Sequence, residues 1–232
     1  MKKLSIIIPV YNEKETILEI LKRVENIDLS LEKEIIIIDD GSIDGTKDIL
    51  KKLKNKYRII FKEKNQGKGS AIKQGFLKAT GDIIIIQDAD LEYDPNDYGK
   101  IIRPILENKA DIVYGSRLLS SDYHRVLYFW HSLGNKFLTL FSNALTDLNL
   151  SDMETGYKAF RKEVIDSFKN KLQSNRFGIE PEMTARVAKG KWKIYEVGIS
   201  YSGRTYEEGK KINWKDGIAA IWHIIKFNLF SK

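Results

Sequence analysis

Residues 82–92 read Asp-Ile-Ile-Ile-Ile-Gln-Asp-Ala-Asp-Leu-Glu. Four consecutive β-branched residues lack the alternation of a strand with one wet face. The spacing predicts a strand covered on both sides, as in a parallel sheet between helices. Asp88, Asp90 and Glu92 follow where that strand ends. In open α/β sheets ligands bind outside the carboxyl ends of the strands, so one stretch implies both a fold and a place for chemistry.

The same plan recurs on either side. Residues 4–8 run into Pro9-Val10-Tyr11-Asn12-Glu13, and residues 34–38 into Asp39-Asp40-Gly41-Ser42. Further apolar runs at 58–61 and 111–114 read as strands, with helices expected at 15–26, 44–56, 70–79 and 95–109. Asp44 and Pro95 suit helix starts. Strand–helix alternation with right-handed crossovers predicts an α/β protein with a doubly wound, mostly parallel sheet flanked by helices. The second half has a different texture: an aromatic-rich helix over 123–148, a strand near 156–160, a helix near 180–189, a strand over 192–201 and a closing helix over 214–230. Without a repeat or a low-complexity linker, residues 1–212 are expected to form a single domain and residues 213–232 an amphipathic C-terminal helix.

Composition narrows the partners. A hydrophobic share of 42% beside 31% charged residues is that of a folded globular chain. Cysteine is absent, which removes disulfides, thiolate metal sites and a cysteine nucleophile. The formal charge of +7 favours anionic partners without choosing among nucleotides, lipid phosphates and membrane surfaces. Nucleic acid is not expected: net charge alone would carry that reading, and the lysines between positions 47 and 68 read as a solvated helix face and the strand after it. No signal peptide is read at the N-terminus, and no run reaches the ~18 apolar residues needed to span a bilayer.

Several chemistries fall away at the motif level. An EF-hand starting at Asp88 fails because Tyr93 stands where its glycine is needed and Gly99 where its bidentate glutamate is needed. Gly67-Lys68-Gly69-Ser70 lacks the upstream glycine of a Walker A loop, and Ile72 replaces the third glycine of the dinucleotide fingerprint. His124, His131 and His223 have no metal-ligand spacing, and no Ser-His-Asp arrangement can be assembled. What remains is acid at three strand ends. Asp88, Asp90 and Glu92 offer hard oxygens suited to Mg²⁺ or Mn²⁺ shared with a diphosphate.

Pro9–Glu13, Asp39–Thr46 (Asp-Asp-Gly-Ser-Ile-Asp-Gly-Thr), Asn65–Gly69 and Asp88–Leu91 resemble the motifs of family 2 glycosyltransferases with the GT-A, Rossmann-like fold. Gly115-Ser116-Arg117, Glu154–Phe160 and Gly203–Lys211 resemble the dolichyl- and polyprenyl-phosphate mannosyl- and glucosyltransferase branch. The resemblance implies that Pro9, Tyr11, Glu13, Ile38 and Asp40 line a nucleoside pocket, with Asp88 and Ala89 beneath ribose and diphosphate. It implies that Asp90, with Glu92 and Asp88, holds the divalent ion, that Arg117 meets the acceptor phosphate, and that Arg204 and Lys210 clamp phosphates from a closing loop. Ser132 matches a family serine, whereas Tyr128 occupies the place of a family arginine, leaving Arg125 or His131 as substitutes.

The implied reaction is inverting, metal-dependent transfer of mannose or glucose from a donor of the GDP-mannose or UDP-glucose type to a polyprenyl phosphate. The alternative is a soluble or saccharide acceptor; the basic residues around Arg204 and Lys210 argue for the phosphate. In the last helix Trp214, Ile218, Ile221, Trp222, Ile225 and Leu229 recur at helical spacing, with Lys215, His223 and Lys226 off that stripe. The stripe either packs on the sheet or meets lipid; peripheral contact with the cytoplasmic face of a membrane is the expectation.

Overall fold

The computed structural model describes residues 2–119, 125–126, 128–205, 207–208 and 214–231, except the side chains of Trp214 and Lys215. Among the described residues seven strands form one sheet: β1 (Lys3–Val10), β2 (Glu32–Asp39), β3 (Arg58–Phe61), β4 (Ile83–Ile86), β5 (Ile112–Ser116), β6 (Lys158–Arg161) and β7 (Ile194–Gly198). Their order is β3-β2-β1-β4-β6-β5-β7. All neighbours are parallel except β6, which runs against both β4 and β5. Strand order reverses beside β1, and the carboxyl ends of β1 and β4 at such a switch point are where open α/β sheets bind ligands.

The isoleucine runs are buried on both faces. Ile6, Ile8 and Ile37 join one core with Ile17, Ile20 and Val24 of α1 (Ile17–Asn26) and Ile101, Ile102 and Ile105 of α4 (Tyr98–Leu106). Their neighbours Ile7, Ile36 and Ile38 point to the other core. There they meet Ile72 and Phe76 of α3 (Lys68–Lys78), Val164 and Phe168 of α6 (Lys162–Phe168) and Met183 of α7 (Ile179–Lys189). Successive residues of a strand face opposite ways, so two such layers require an unbroken apolar run.

Several elements differ from expectation. Helix α2 spans only Thr46–Lys52, because residues 53–57 turn back toward β3. Helix α5 begins at Phe129 and ends at Thr146. The seven-residue α6 has no counterpart in the sequence reading; its apolar residues Val164, Ile165 and Phe168 are too few to show a helical period. Helix α8 (Trp214–Ile225) continues into a wider π-helical turn, Lys226–Phe230. Its inner face buries Ala220, Ile224 and Phe227, while Ile218, Trp222 and Leu229 are more than half exposed. Ile218, Trp222 and Leu229 of the stripe read from sequence thus lie on the outer face of a helix whose inner face packs on α5 and α7, with Ile221 and Ile225 half-buried.

Candidate active site

The carboxyl ends of β1, β2 and β4 bring together most of the expected residues, though not in the roles expected for all of them. At β1, Pro9 pairs in register with Ile38 of β2, and Ile38 is fully buried. Beyond the strand, Asn12 adopts φ 54°, its amide donates to Ser42 Oγ at 3.0 Å, and its Oδ1 accepts from the amide of Ile43 at 2.9 Å. These bonds hold half-buried Tyr11 and buried Glu13 beyond the carboxyl end of β1. Glu13 Oε2 accepts from Thr16 Oγ1 at 3.0 Å and from Arg204 Nη2 at 3.1 Å.

Asp40 is a clasp in this structure. Its buried carboxylate accepts from Lys62 Nζ, from the amide of Gln66 at 3.1 Å and from the amide of Gly67 at 2.6 Å. Lys62, unforeseen from sequence, also donates to Ser70 Oγ at 2.8 Å. The glycine-rich turn therefore spends its amides on the protein. Gly67 has φ +102°, and a Cβ there would stand 2.4 Å from the carbonyl oxygen of Asn175. Only glycine permits that approach.

At β4 the three acids expected to share a cation do not form one group: among the described residues no three acidic or histidine side chains converge for a metal. Asp88 Oδ2 accepts from Lys68 Nζ at 2.8 Å. Ala89 is buried beside it. Glu92 is turned away, accepting from Tyr201 OH at 3.0 Å and from the amide of Arg204 at 2.7 Å. Asp90 differs from both. Leu91 takes φ 65°, so the chain reverses at once and the Glu92 amide donates back to Asp90 Oδ1 at 3.2 Å. Burial, then the charges of Asp88 and Glu92, push the Asp90 carboxyl up to about 7. A crowded acid of this kind fits a hard cation, which takes one or two protein carboxylates and completes its shell with phosphate oxygens and water.

Arg204 closes over this acid. Its Nε and Nη2 donate to the carbonyl of Asp90 at 3.0 and 2.6 Å, and Nη2 reaches Glu13 as well. The guanidinium thus joins the ends of β1 and β4. Lys210 lies outside the described residues. Arg125 meets the same loop, donating to the Gly203 carbonyl at 3.1 Å and to Glu208 Oε2 at 2.7 Å. Ser132 donates its amide to the Tyr128 carbonyl at 3.2 Å, and the His131 ring packs on that of Tyr128.

At the end of β5, Arg117 pairs bidentately with Asp152 through Nε and Nη2, both at 2.7 Å, and its guanidinium lies over the Tyr201 ring. Asn135 of α5 adds a bond to Asp152 Oδ1 at 2.9 Å. Burial pushes Asp152 up, but Arg117 outweighs it and holds the carboxyl below the usual carboxylate range. Sequence reasoning missed Asp152 and a second buried network, Lys68 and Lys158 around Glu180. No spacing rule reports such pairs, because they join β6, α3 and α7.

The family model for "Glycosyl transferase family 2" matches residues 5–168. A dolichol-phosphate mannosyltransferase of Pyrococcus furiosus is 33% identical over 213 residues, covering 90% of this chain but 59% of that protein. The UDP-N-acetylglucosamine–dolichyl-phosphate N-acetylglucosaminyltransferase of Methanococcus voltae is 28% identical, covering 98% of this chain and 97% of its own length. Among solved structures, glucosyl-3-phosphoglycerate synthase of Mycobacterium tuberculosis, in complex with Mn²⁺, UDP and phosphoglyceric acid, superposes with a TM-score of 0.76. That match is 18% identical and covers 100% of this chain and 80% of the other, which shows a shared GT-A architecture. The chain belongs to glycosyl transferase family 2, and it is a glycosyltransferase.

Proposed function

We propose that this enzyme transfers a hexose, mannose or glucose, from a nucleoside-diphosphate sugar of the GDP-mannose or UDP-glucose type to a polyprenyl or dolichyl phosphate. The observation that carries the reading is the pair of guanidinium groups, Arg117 and Arg204, on either side of Tyr201 and Glu92 beside a crowded Asp90. Both curated relatives described above bear names that specify a dolichol or dolichyl phosphate.

A lipid monophosphate is already anionic and needs no general base. Its oxygen attacks the anomeric carbon, the bond from that carbon to the nucleoside diphosphate breaks, and the electron pair leaves with the diphosphate. Direct displacement inverts the centre. The protein's contribution is alignment and charge stabilisation. Pro9, Tyr11 and Glu13 line the nucleoside side, Ile38 backs it only from the core where its side chain is buried, Asp40 shapes it through its clasp, and Asp88 and Ala89 lie under the diphosphate. Asp90 would hold Mg²⁺ or Mn²⁺, which when bound supplies Lewis-acid neutralisation of the leaving diphosphate. Asp88 and Glu92 would support it from their present partners. Structural neighbours were solved with Mn²⁺ or Mg²⁺ and UDP. Arg117 meets the acceptor phosphate, while Arg204 and Lys210 meet the diphosphate.

The segment 213–232 serves as an interfacial helix in this reading. Phe129, Trp130, Phe137 and Leu140 of α5 and Trp222 and Leu229 beyond them are each more than half exposed, on two helices that touch. Among the described residues no helix is long and apolar enough to cross a membrane. A face of this kind suits peripheral contact at the cytoplasmic side, where a lipid acceptor would be reached. The test is a donor screen, with nucleotide sugars of both bases, a short polyprenyl phosphate and Mg²⁺ or Mn²⁺. Label should move into the lipid-soluble fraction; transfer only to a water-soluble acceptor overturns the reading.

A further inference from the structure

Segment 152–156 crosses the carboxyl edge of the sheet from Arg117 to Asp88. At one end Asp152 holds Arg117 at 2.7 Å. At the other, Gly156 lies so close to the donor side that a Cβ would stand 2.6 Å from Asp88 Oδ2 and 2.8 Å from Lys68 Nζ. Glu154 sits midway. Its neighbours' charges are committed elsewhere. Arg117 serves Asp152, Lys158 serves Glu180 and the carbonyls of Met153 and Thr155, and Lys68 serves Asp88 and Glu180. Glu154 is half-buried, yet its Oε1 is sealed from solvent without a hydrogen-bond partner among the described residues. A carboxyl oxygen left in this state in a folded protein calls for a reason.

We infer that Glu154 binds the transferred sugar through its hydroxyl groups and so helps to select the donor. This rests on the transfer reaction proposed above. A sugar in transit lies between the departing diphosphate and the acceptor phosphate, and segment 152–156 spans those two anchors. The terminal torsion of a glutamate is broad, so a small rotation turns either oxygen toward the open side. Two carboxyl oxygens match two adjacent hydroxyls of a neutral hexose. A uronate would bring a third carboxylate against Glu154 and Glu180 and is disfavoured. Burial, then the charge of Glu180, push the Glu154 carboxyl up to about 7, which lets it accept or donate toward such hydroxyls.

The experiment compares wild type with Glu154→Ala and Glu154→Gln by calorimetric binding of the nucleoside diphosphate and of the matching nucleotide sugar, both without acceptor. Loss of the sugar contact should weaken the nucleotide sugar roughly 10- to 100-fold in Glu154→Ala and less in Glu154→Gln. The nucleoside diphosphate should bind unchanged. The melting temperature should not fall, since a carboxyl that serves a ligand is dispensable to the fold. Equal weakening of both ligands, unchanged binding of both, or a lower melting temperature with unchanged binding overturns the inference. These readouts need no lipid, so a failed transfer to polyprenyl phosphate counts against the proposed function alone.

Discussion

Asp40 and Asp90 are the same residue type beyond neighbouring parts of one sheet, and the protein treats them in opposite ways. Asp40 is met by Lys62 and by two backbone amides of the Gln66–Gly67 turn. Among the described residues Asp90 receives a single amide, from Glu92, and shares its surroundings with two further acids. A carboxylate whose lone pairs are filled by the chain fastens the chain. One left crowded by like charge is held for something else, because burial without compensation is unfavourable. The contrast separates scaffold from ligand site within a single acidic rim.

The sharpest way to break this contrast is to neutralise Asp90. Asp90→Asn should lower transfer by about a thousandfold or more, the scale of several kcal/mol of lost charge stabilisation. Its melting temperature should hold or rise, since one of three mutually repelling acids is gone. Full activity of that variant in EDTA would return Asp90 to the scaffold. Arg204 comes next. Arg204→Ala should cost roughly a hundred- to a thousandfold in turnover, and Arg204→Lys should recover only part, because an ammonium lacks the planar fork that spans Glu13 and the Asp90 carbonyl. Wild-type turnover in Arg204→Ala would make its loop an ordinary surface feature.

Asp40→Asn tests the other side. It leaves Lys62 buried with its charge uncompensated, so unfolding in urea should show a loss of about 3 kcal/mol. A stability equal to wild type would mean that Lys62 finds water or another partner, and Asp40 would then be free for the nucleoside after all. The two aspartates thus predict opposite phenotypes: activity without stability at one, stability first at the other.

How much of this was legible in the sequence follows the range of the signals. The isoleucine runs encode strands buried on both faces by local pattern alone, and the acids after β1, β2 and β4 mark their carboxyl ends. Which acid is clasped is a non-local matter. Lys62 lies 22 positions from Asp40, and Asp152 lies 35 from Arg117. Neither pairing leaves a periodicity to read. The turn of Glu92 away from Asp90 depends on Tyr201, 109 positions on, and is equally invisible. The antiparallel β6 and the short α6 fall in a stretch whose elements are too brief for a period to show.

The smallest effect probes where an unpartnered buried atom is no sign of a ligand. Among the described residues His223 Nδ1 on α8 has no hydrogen-bond partner, like Glu154 Oε1. Its surroundings differ in kind. The ring stacks on Phe227 at 5.7 Å, with planes 7° apart, and a Cβ at Gly178 would lie 2.4 Å from its Cδ2. Here the ring is a packing piece between α8 and the start of α7. Burial, then the positive charge of Lys226, lower its pKa from the ordinary 6.5. A base with a depressed folded pKa binds its proton better when unfolded, so its contribution to stability is present above the unfolded value and is lost as pH falls below about 6.5. The ring is partly open to water, so screening keeps the effect small. Melting temperatures should therefore drop on going from pH 7.5 to pH 5.5 by slightly more in wild type than in His223→Phe, which keeps the stack and cannot titrate. Identical pH profiles for the two proteins would show that the imidazole reaches a proton-stabilising partner in solution, and the likeness to Glu154 would then extend beyond a missing hydrogen bond.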